Sequence, residues 1–476
     1  MDGGGRANAR NPYLAGPYAP VAREVEAADL PVIGEIPADL AGLYVRNGPN
    51  PERAPSAPHH WFDGDGMLHG VWFDQGRARY RNRFVGTPDL AAERAGNLDA
   101  AGIFSPANRS RSGNRVYKDT ANTDVIVHGG KLYALWYISG LPVAVDATTL
   151  ETIGAETFSG TLPRNMSAHS KTDPETGELV FFDYALYEPW MSVGAISATG
   201  ALDWFTEVAL PGPRLPHDMG LTAKHVVLMD LPIVFTDSAM RRGTWNIHWA
   251  DQPTRFGVLA RGASGETTRW FEVPGCYIYH VANAWDDGDC VVMAACKMVP
   301  NGLNPDPALY GAFAPMVGVL ALHAVPVVWR FNLKTGAVTE TQLNDRITEF
   351  PVVNLDKTGR RTKYGYLVSM APGDLQKFDG LTKLDLETGR DEFHAFPPGV
   401  FGSEPAFAPR PGAKAEDDGY LITIVSNEAE GRSEAWVIDA QDFTAPPRAR
   451  IPLPQRAPPG FHATWARADQ IARPSA

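Results

Sequence analysis

Short apolar runs separated by turn-forming residues dominate the chain. GYLITIV (419–425) and EAWVID (434–439) are short apolar runs with polar or glycine positions inside or at their ends, the pattern of strands packed against a core. Such runs repeatedly enter a turn of the type Asp/Asn-x-x-Thr-Gly or a degenerate form of it: VDATTLE at Asp146, TDPETGE at Asp173, SATGAL at Ser197, NLKTGAV at Asn332, LDLETGR at Asp385 and IDAQDFT at Asp439. The steps from Asn332 to Asp385 and from Asp385 to Asp439 are nearly equal. Antiparallel hairpins repeated at such spacing predict an all-β meander around an axis, a β-propeller, with an irregular array of sandwiches as the alternative. No charge run or low-complexity linker divides the sequence, so one closed domain is expected over 1–476. It would carry an N-terminal extension (1–30) and cap loops near 85–120, 231–260 and 300–325 over one face.

One stretch departs from the hairpin pattern. YGAFAPMVGVLALHAVPVVW (310–329) is apolar for about the length that a membrane span needs. Pro315, His323 and Pro326 interrupt it, and it runs into the strand-like VVWRFNL, so a buried or interfacial segment is expected rather than a span. As an exposed patch, it would give peripheral membrane contact and access to membrane-dissolved substrates.

Composition sharpens the picture. With 46 Gly and 40 Pro spread along the chain, many short elements must join through tight turns, and 12 Trp, 15 Tyr and 21 Phe can fill a large core. A net charge of -12 without a basic block argues against nucleic acid as the main partner. MDGGGRANARNPYLAG at the N-terminus has no apolar run of signal type, so the expected location is cytoplasmic. Cys276, Cys290 and Cys296 are odd in number and lack C-x-x-C spacing, which fits packed, reduced thiols.

Most of the 12 histidines need no function, but three share a context. His169 (NMSAHSKTDPETGELVFF), His217 (RLPHDMGLTAKHVVLMD) and His280 (YIYHVANAWDDGDCVVMAA) each precede a turn of about ten residues and then a short apolar strand. In a propeller the innermost strand of each blade lines the axis, so equivalent positions converge there. His462, in PPGFHATWA, would join them if the C-terminal strand closes the ring beside the first blade. Four neutral imidazoles make a site for a divalent transition metal, and on an octahedral ion four ligands leave two positions open. The competing reading is four unrelated core histidines.

At this point the chain resembles the carotenoid cleavage oxygenases, a family that includes retinoid isomerases and lignostilbene-cleaving dioxygenases. The resemblance rests on LYVRNGPNP (43–51), WFDGDGMLHGVWF (61–73), KDTANTDVIVHGGKLYALW (118–136), EFPVVN (349–354), GSEPAFAPRPGAKAEDDGYL (402–421) and GFHATWA (460–466). It implies a seven-bladed β-propeller under a loop and helix cap, with one non-heme Fe(II) per subunit on His169, His217, His280 and His462. It further implies that Glu349 and Glu404 accept hydrogen bonds from two of these imidazoles, His280 and His462. A third glutamate of the family is missing: LWYISG puts Tyr137 in its place, which leaves the partner of His217 open between the Tyr137 phenol and another group. Thr123 matches a residue whose methyl lies near the metal's open positions. Trp136 stands where stilbene-cleaving relatives carry a lysine, and GIFSP (102–106) where their phenol-gripping tyrosine would lie. The FDGDG motif lacks the ligand spacing of a calcium loop and reads as a hairpin turn.

The implied reaction is cleavage of one C=C bond of a small apolar conjugated substrate by O2 to give two carbonyl fragments. A carotenoid or apocarotenoid is favoured over a stilbene or alkenylphenol because no phenol-activating pair is present. The remaining readings are an isomerase, a calcium-dependent propeller hydrolase or lactonase, and a metal-free scaffold.

Overall fold

The computed structural model describes residues 11–55, 59–96, 118–185, 188–235, 247–299, 322–373 and 375–471. Seven antiparallel sheets form the blades of a propeller, and a separate ribbon pairs Ile233–Phe235 with Ile247–Trp249. Blades 2 to 6 are each built from four strands in chain order, running from the axis outward. Blade 3 is typical: Lys171–Thr172, Leu179–Tyr184, Met191–Ile196 and Leu202–Val208.

The repeated turn has a local cause. The Asp146, Asn332 and Asp385 side chains each accept two backbone N–H groups at 2.7–3.0 Å from the residues two and three ahead. Gly336 and Gly389 then take φ of 79° and 72°, a region closed to most side chains. These turns join the third and fourth strands of their blades, whereas the Asp173 turn joins the first and second strands of blade 3. The motif therefore marks a hairpin, not a fixed address within a blade.

Burial runs opposite to a one-faced sheet. Leu179–Tyr184 and Met191–Ile196 are buried at every position, because each blade is sandwiched between two others, while the outermost Val338–Gln342 is mostly exposed. The polar positions of GYLITIV do not face water. Thr423 is fully buried and donates to the Ser403 carbonyl at 2.8 Å.

Closure comes from both ends of the described chain. Ala463–Arg467 pairs antiparallel with Gly42–Arg46 as the innermost strand of blade 1, setting Trp465 opposite Tyr44. Ile33–Gly34 pairs with Ala449–Pro452 as the outer edge of blade 7. The part of the expected N-terminal extension that is described, from residue 11 to 30, packs onto the body: Tyr13 and Tyr18 are buried, and Glu26–Ala27 pairs with Arg77–Phe84.

Several expected loops are corrected. Thr254–Ala260, inside the 231–260 cap segment, is the third strand of blade 4. Ala324–Asn332, which takes in the end of the apolar 310–329 stretch, is the third strand of blade 5. Residues 310–321 lie outside the described residues, as does most of the cap expected at 85–120 and 300–325. FDGDG is not a hairpin turn: Trp61–Asp63 is a short 3-10 turn, and Met67–Asp74 pairs with Gly42–Arg46 and Arg77–Phe84. Among the described residues no helix is long and apolar enough to cross a membrane.

The closure seam allows no added volume at one point. A Cβ on Gly48 would stand 2.6 Å from the Gly460 Cα, backbone against backbone. Gly48→Ala is expected to destabilise the protein by about 1–3 kcal/mol, as overpacking does. A denaturant titration should show a lowered midpoint, and an unchanged one would mean that the seam yields.

Candidate metal centre

Each of the seven blades sends a residue to the axis from its inner strand or the turn before it. Blade 1 supplies His462, immediately ahead of Ala463–Arg467; blade 2 supplies Thr123 and Asp124, at the start of Asp124–His128. Blades 3 and 4 supply His169 and His217, just ahead of Lys171–Thr172 and Gly220–Leu221, and blade 5 supplies His280 within Ile278–Asp287. Glu349, in Thr348–Val352, comes from blade 6, and Glu404, just before Ala406–Pro409, from blade 7.

The four histidines are buried and present one nitrogen each within 4.8 Å of one another. His217 Nε2 lies 3.2 Å from both His169 Nε2 and His280 Nε2. Burial first, and the neighbouring imidazoles second, hold His169, His217 and His280 well below their ordinary pKa of 6.5, so all three are neutral at pH 7. Lone pairs facing one another at this distance repel unless a cation lies between them. Metal–imidazole bonds of about 2.1 Å place adjacent ligand nitrogens about 3.0 Å apart, so the donor set fits a first-row divalent ion.

The outward nitrogens are held unequally. His280 Nδ1 lies 2.5 Å from Glu349 Oε2, which also accepts the Phe350 N–H at 2.6 Å. His462 Nδ1 lies 3.0 Å from Glu404 Oε1, and the Ala463 N–H donates to Glu404 Oε2 at 2.5 Å. Burial pushes the Glu349 carboxyl up to about 8. Burial also raises Glu404, against the pull of His462. At His462, burial acts downward, but the charge and hydrogen bond of Glu404 prevail and raise it. His217 Nδ1 is buried with no hydrogen-bond partner among the described residues. The Tyr137 ring stands 6.3 Å from that imidazole between centroids, and its hydroxyl also has no partner. The structure thus forms no bond between Tyr137 and His217.

A second set of groups orders the ligands through their backbone. Asp124 Oδ2 accepts the His169 N–H at 3.0 Å, and the His462 N–H donates to the Thr123 carbonyl at 3.2 Å. Lys171 Nζ donates to the His169 carbonyl (3.2 Å) and to Asp218 Oδ1 (2.5 Å), while Asp218 Oδ2 accepts the Val281 N–H at 2.7 Å. One ion pair therefore spans the strands that carry three ligands. Sequence reasoning missed Asp124, Lys171 and Asp218. The only available signal was their adjacency to Thr123, His169 and His217. His169 and His217 take φ of 68° and 63°, left-handed values tolerated by few side chains.

On one side of the nitrogens is a cavity of about 20 Å³ walled by Phe62, Tyr137, Tyr279, Leu322, Phe350 and Phe461, with Thr123 at its edge. Thr123 Oγ1 donates to Asn122 Oδ1 (2.9 Å) and accepts the Tyr137 N–H (3.1 Å), which leaves its methyl for the cavity. Trp136 does not line this cavity among the described residues; it is buried edge-on against Tyr137, in the same core cluster. GIFSP (102–106) lies outside the described residues.

Two outcomes follow. Glu349→Gln and Glu404→Gln should each weaken divalent-metal affinity about 10–100-fold, measured by competition with a chromophoric chelator. Acid should destabilise the metal-free protein. His169, His217 and His280, with His59 and His60 lowered to about 3 by burial, refuse protons that the unfolded chain accepts below 6.5. Each contributes a loss of up to about 1.4 kcal/mol per pH unit below that value. The raised Glu349, Glu404 and His462 act in the opposite sense but are fewer. The denaturation midpoint should fall between pH 7.5 and 5.5; a rise would contradict the neutral, buried state.

The comparisons agree with this geometry. Residues 18–467 match the family model described as retinal pigment epithelial membrane protein. The chain is 35% identical to carotenoid 9,10(9',10')-cleavage dioxygenase 1 of Phaseolus vulgaris, over 96% of this chain and 90% of that one. Among solved structures, it is similar to a lignostilbene dioxygenase of Pseudomonas brassicacearum (30% identity, TM-score 0.86, 96% of this chain and 99% of that one). It is also similar to cobalt-substituted Synechocystis apocarotenoid oxygenase (25% identity, TM-score 0.81, 97% and 99%). With a match of this extent and relatives aligned over almost their whole length, the chain belongs to the retinal pigment epithelial membrane protein family, together with the carotenoid cleavage oxygenases.

Proposed function

We propose that this protein is a non-heme Fe(II) dioxygenase that cleaves one C=C bond of a carotenoid or apocarotenoid. The observation that carries the reading is the gathering of four buried imidazole nitrogens, with three of the histidines, His217, His280 and His462, lining an aromatic-walled cavity. His169, His217, His280 and His462 would hold one ferrous ion per chain. Bound there, the ion would supply the dioxygen chemistry by which an olefin and O2 become two carbonyl products, with no external reductant.

The chain's own residues do the rest. Glu349 and Glu404 fix two imidazole planes and keep their inward nitrogens free for the metal. Phe62, Tyr137, Tyr279, Phe350 and Phe461 exclude water and offer π-faces to a conjugated chain, so selection rests on shape and burial. No charged side chain lines the cavity among the described residues, which favours a polyene over a phenol that must be ionised or gripped. Stilbene cleavage by the same chemistry is the second reading, because the similar Pseudomonas brassicacearum structure is a lignostilbene dioxygenase.

The test is anaerobic purification with metal analysis, then incubation with apocarotenals and with resveratrol-type stilbenes under ¹⁸O2. Aldehydes from the apocarotenals alone, with label in both fragments, are expected. Aldehydes from the stilbenes alone would move the substrate class, and none from either would sink cleavage. His217→Ala and His462→Ala should lose both metal and turnover.

A further inference from the structure

The ring nitrogens lie between two cavities of opposite chemistry. Facing the aromatic cavity is the axial channel of the propeller, about 340 Å³, which reaches His169, His280 and His462. It opens at the surface beside Pro174, Leu355 and Asp356, all exposed. Asp124, Asp173, Asp218, Asp356 and Glu404 line it, with Lys171 and Arg467 as the lining cations among the described residues; Lys171 pairs with Asp218, Arg467 with Asp356, and Arg261 and Arg360 hold Asp173. Asn283 and Asn354 add amide groups.

A hydrated divalent ion and an apolar organic molecule need different paths. Taking an unpaired charge through an aromatic-walled space is strongly disfavoured, whereas carboxylate and amide oxygens spaced along a wall can replace the waters that the ion sheds. Asp124 and Glu404, which meet no lysine or arginine among the described residues, attract a cation toward the inner end. We propose that the metal ion enters and leaves its four-histidine site through this axial channel, from the side opposite the apolar cavity, with Lys171 as the barrier at the inner end. Lys171 is placed for that role: its ammonium, clamped between Asp218 Oδ1 and the His169 carbonyl, lies just below the ligands and repels an incoming cation. Ion and organic substrate then reach one centre through different doors.

The proposal rests on the four histidines holding a divalent ion, which equilibrium stoichiometry checks separately: metal-free protein that binds no Co(II) overturns that reading, whereas the route is tested by rates. Co(II) uptake by metal-free protein would be followed by its ligand-field bands in stopped flow, and release by excess chelator. Val127→Trp, on the channel wall, is expected to slow uptake and release by a common factor and leave the equilibrium constant unchanged. Leu322→Trp, on the aromatic wall, is expected to change neither rate. Lys171→Met should speed both about tenfold, and Asp356→Asn at the mouth should slow uptake about threefold, an effect that added salt removes. Asp356 is exposed and paired only with Arg467, so its variant keeps the test informative if Val127→Trp does not fold. Unchanged rates in both Val127→Trp and Asp356→Asn, or slowed uptake in Leu322→Trp, would overturn the route. Weakened affinity at unchanged uptake in Lys171→Met would make that residue an anchor for His169 and overturn its place as the barrier.

Discussion

Everything at the axis depends on one strand pairing. Ala463–Arg467 lies against Gly42–Arg46, and only that ladder carries His462 to the three imidazoles contributed by blades 3 to 5. The pairing is supported where it matters: Asn47 N–H donates to the His462 carbonyl, Phe461 N–H to the Asn47 carbonyl, and the Tyr44 hydroxyl to the Glu404 carbonyl. Ring closure and ligand assembly are thus one event. A cation bound there would tie residue 169 to residue 462, favouring the closed ring by mass action.

The second constraint is electrostatic. Four imidazoles bring no charge, so a divalent ion among them would keep both of its positive charges in a dry interior unless carboxylates stand nearby. Glu349 and Glu404 stand one hydrogen bond away, close enough to offset that charge without occupying ligand positions. His217 has no such partner, and its ring is held instead by packing, with Tyr279 edge-on at 5.0 Å between centroids. The centre is therefore asymmetric, with two corners anchored by carboxylates and two set by backbone and packing.

How much of this could be read in the sequence follows from how local each feature is. Asx turns at Asp146, Asn332 and Asp385 are made within five residues and leave a plain signature. The histidine spacing is legible because His169, His217 and His280 each stand eight to ten residues ahead of the second strand of their blade, which starts at Leu179, His225 and Cys290. Glu349 and Glu404 entered only through resemblance to a family, since nothing in TEFP or GSEP alone points at a histidine more than fifty residues away. Asp124 and Asp218 act on peptide groups of neighbouring blades, and Lys171 pairs with Asp218 across a blade boundary, contacts without periodicity. GYLITIV misleads for a related reason: its polar Thr423 is buried against Ser403 of its own blade and does not face solvent.

The left-handed backbone at His169 and His217 narrows what those corners can become. Outside glycine, asparagine, aspartate and histidine enter that region most readily, and β-branched side chains resist it most. The peptide geometry has therefore chosen the alphabet from which half the coordination sphere can be written. Redesign toward a harder, oxygen-preferring cation could proceed at these two corners by single replacements with aspartate or asparagine, whereas a β-branched residue there would strain the turn.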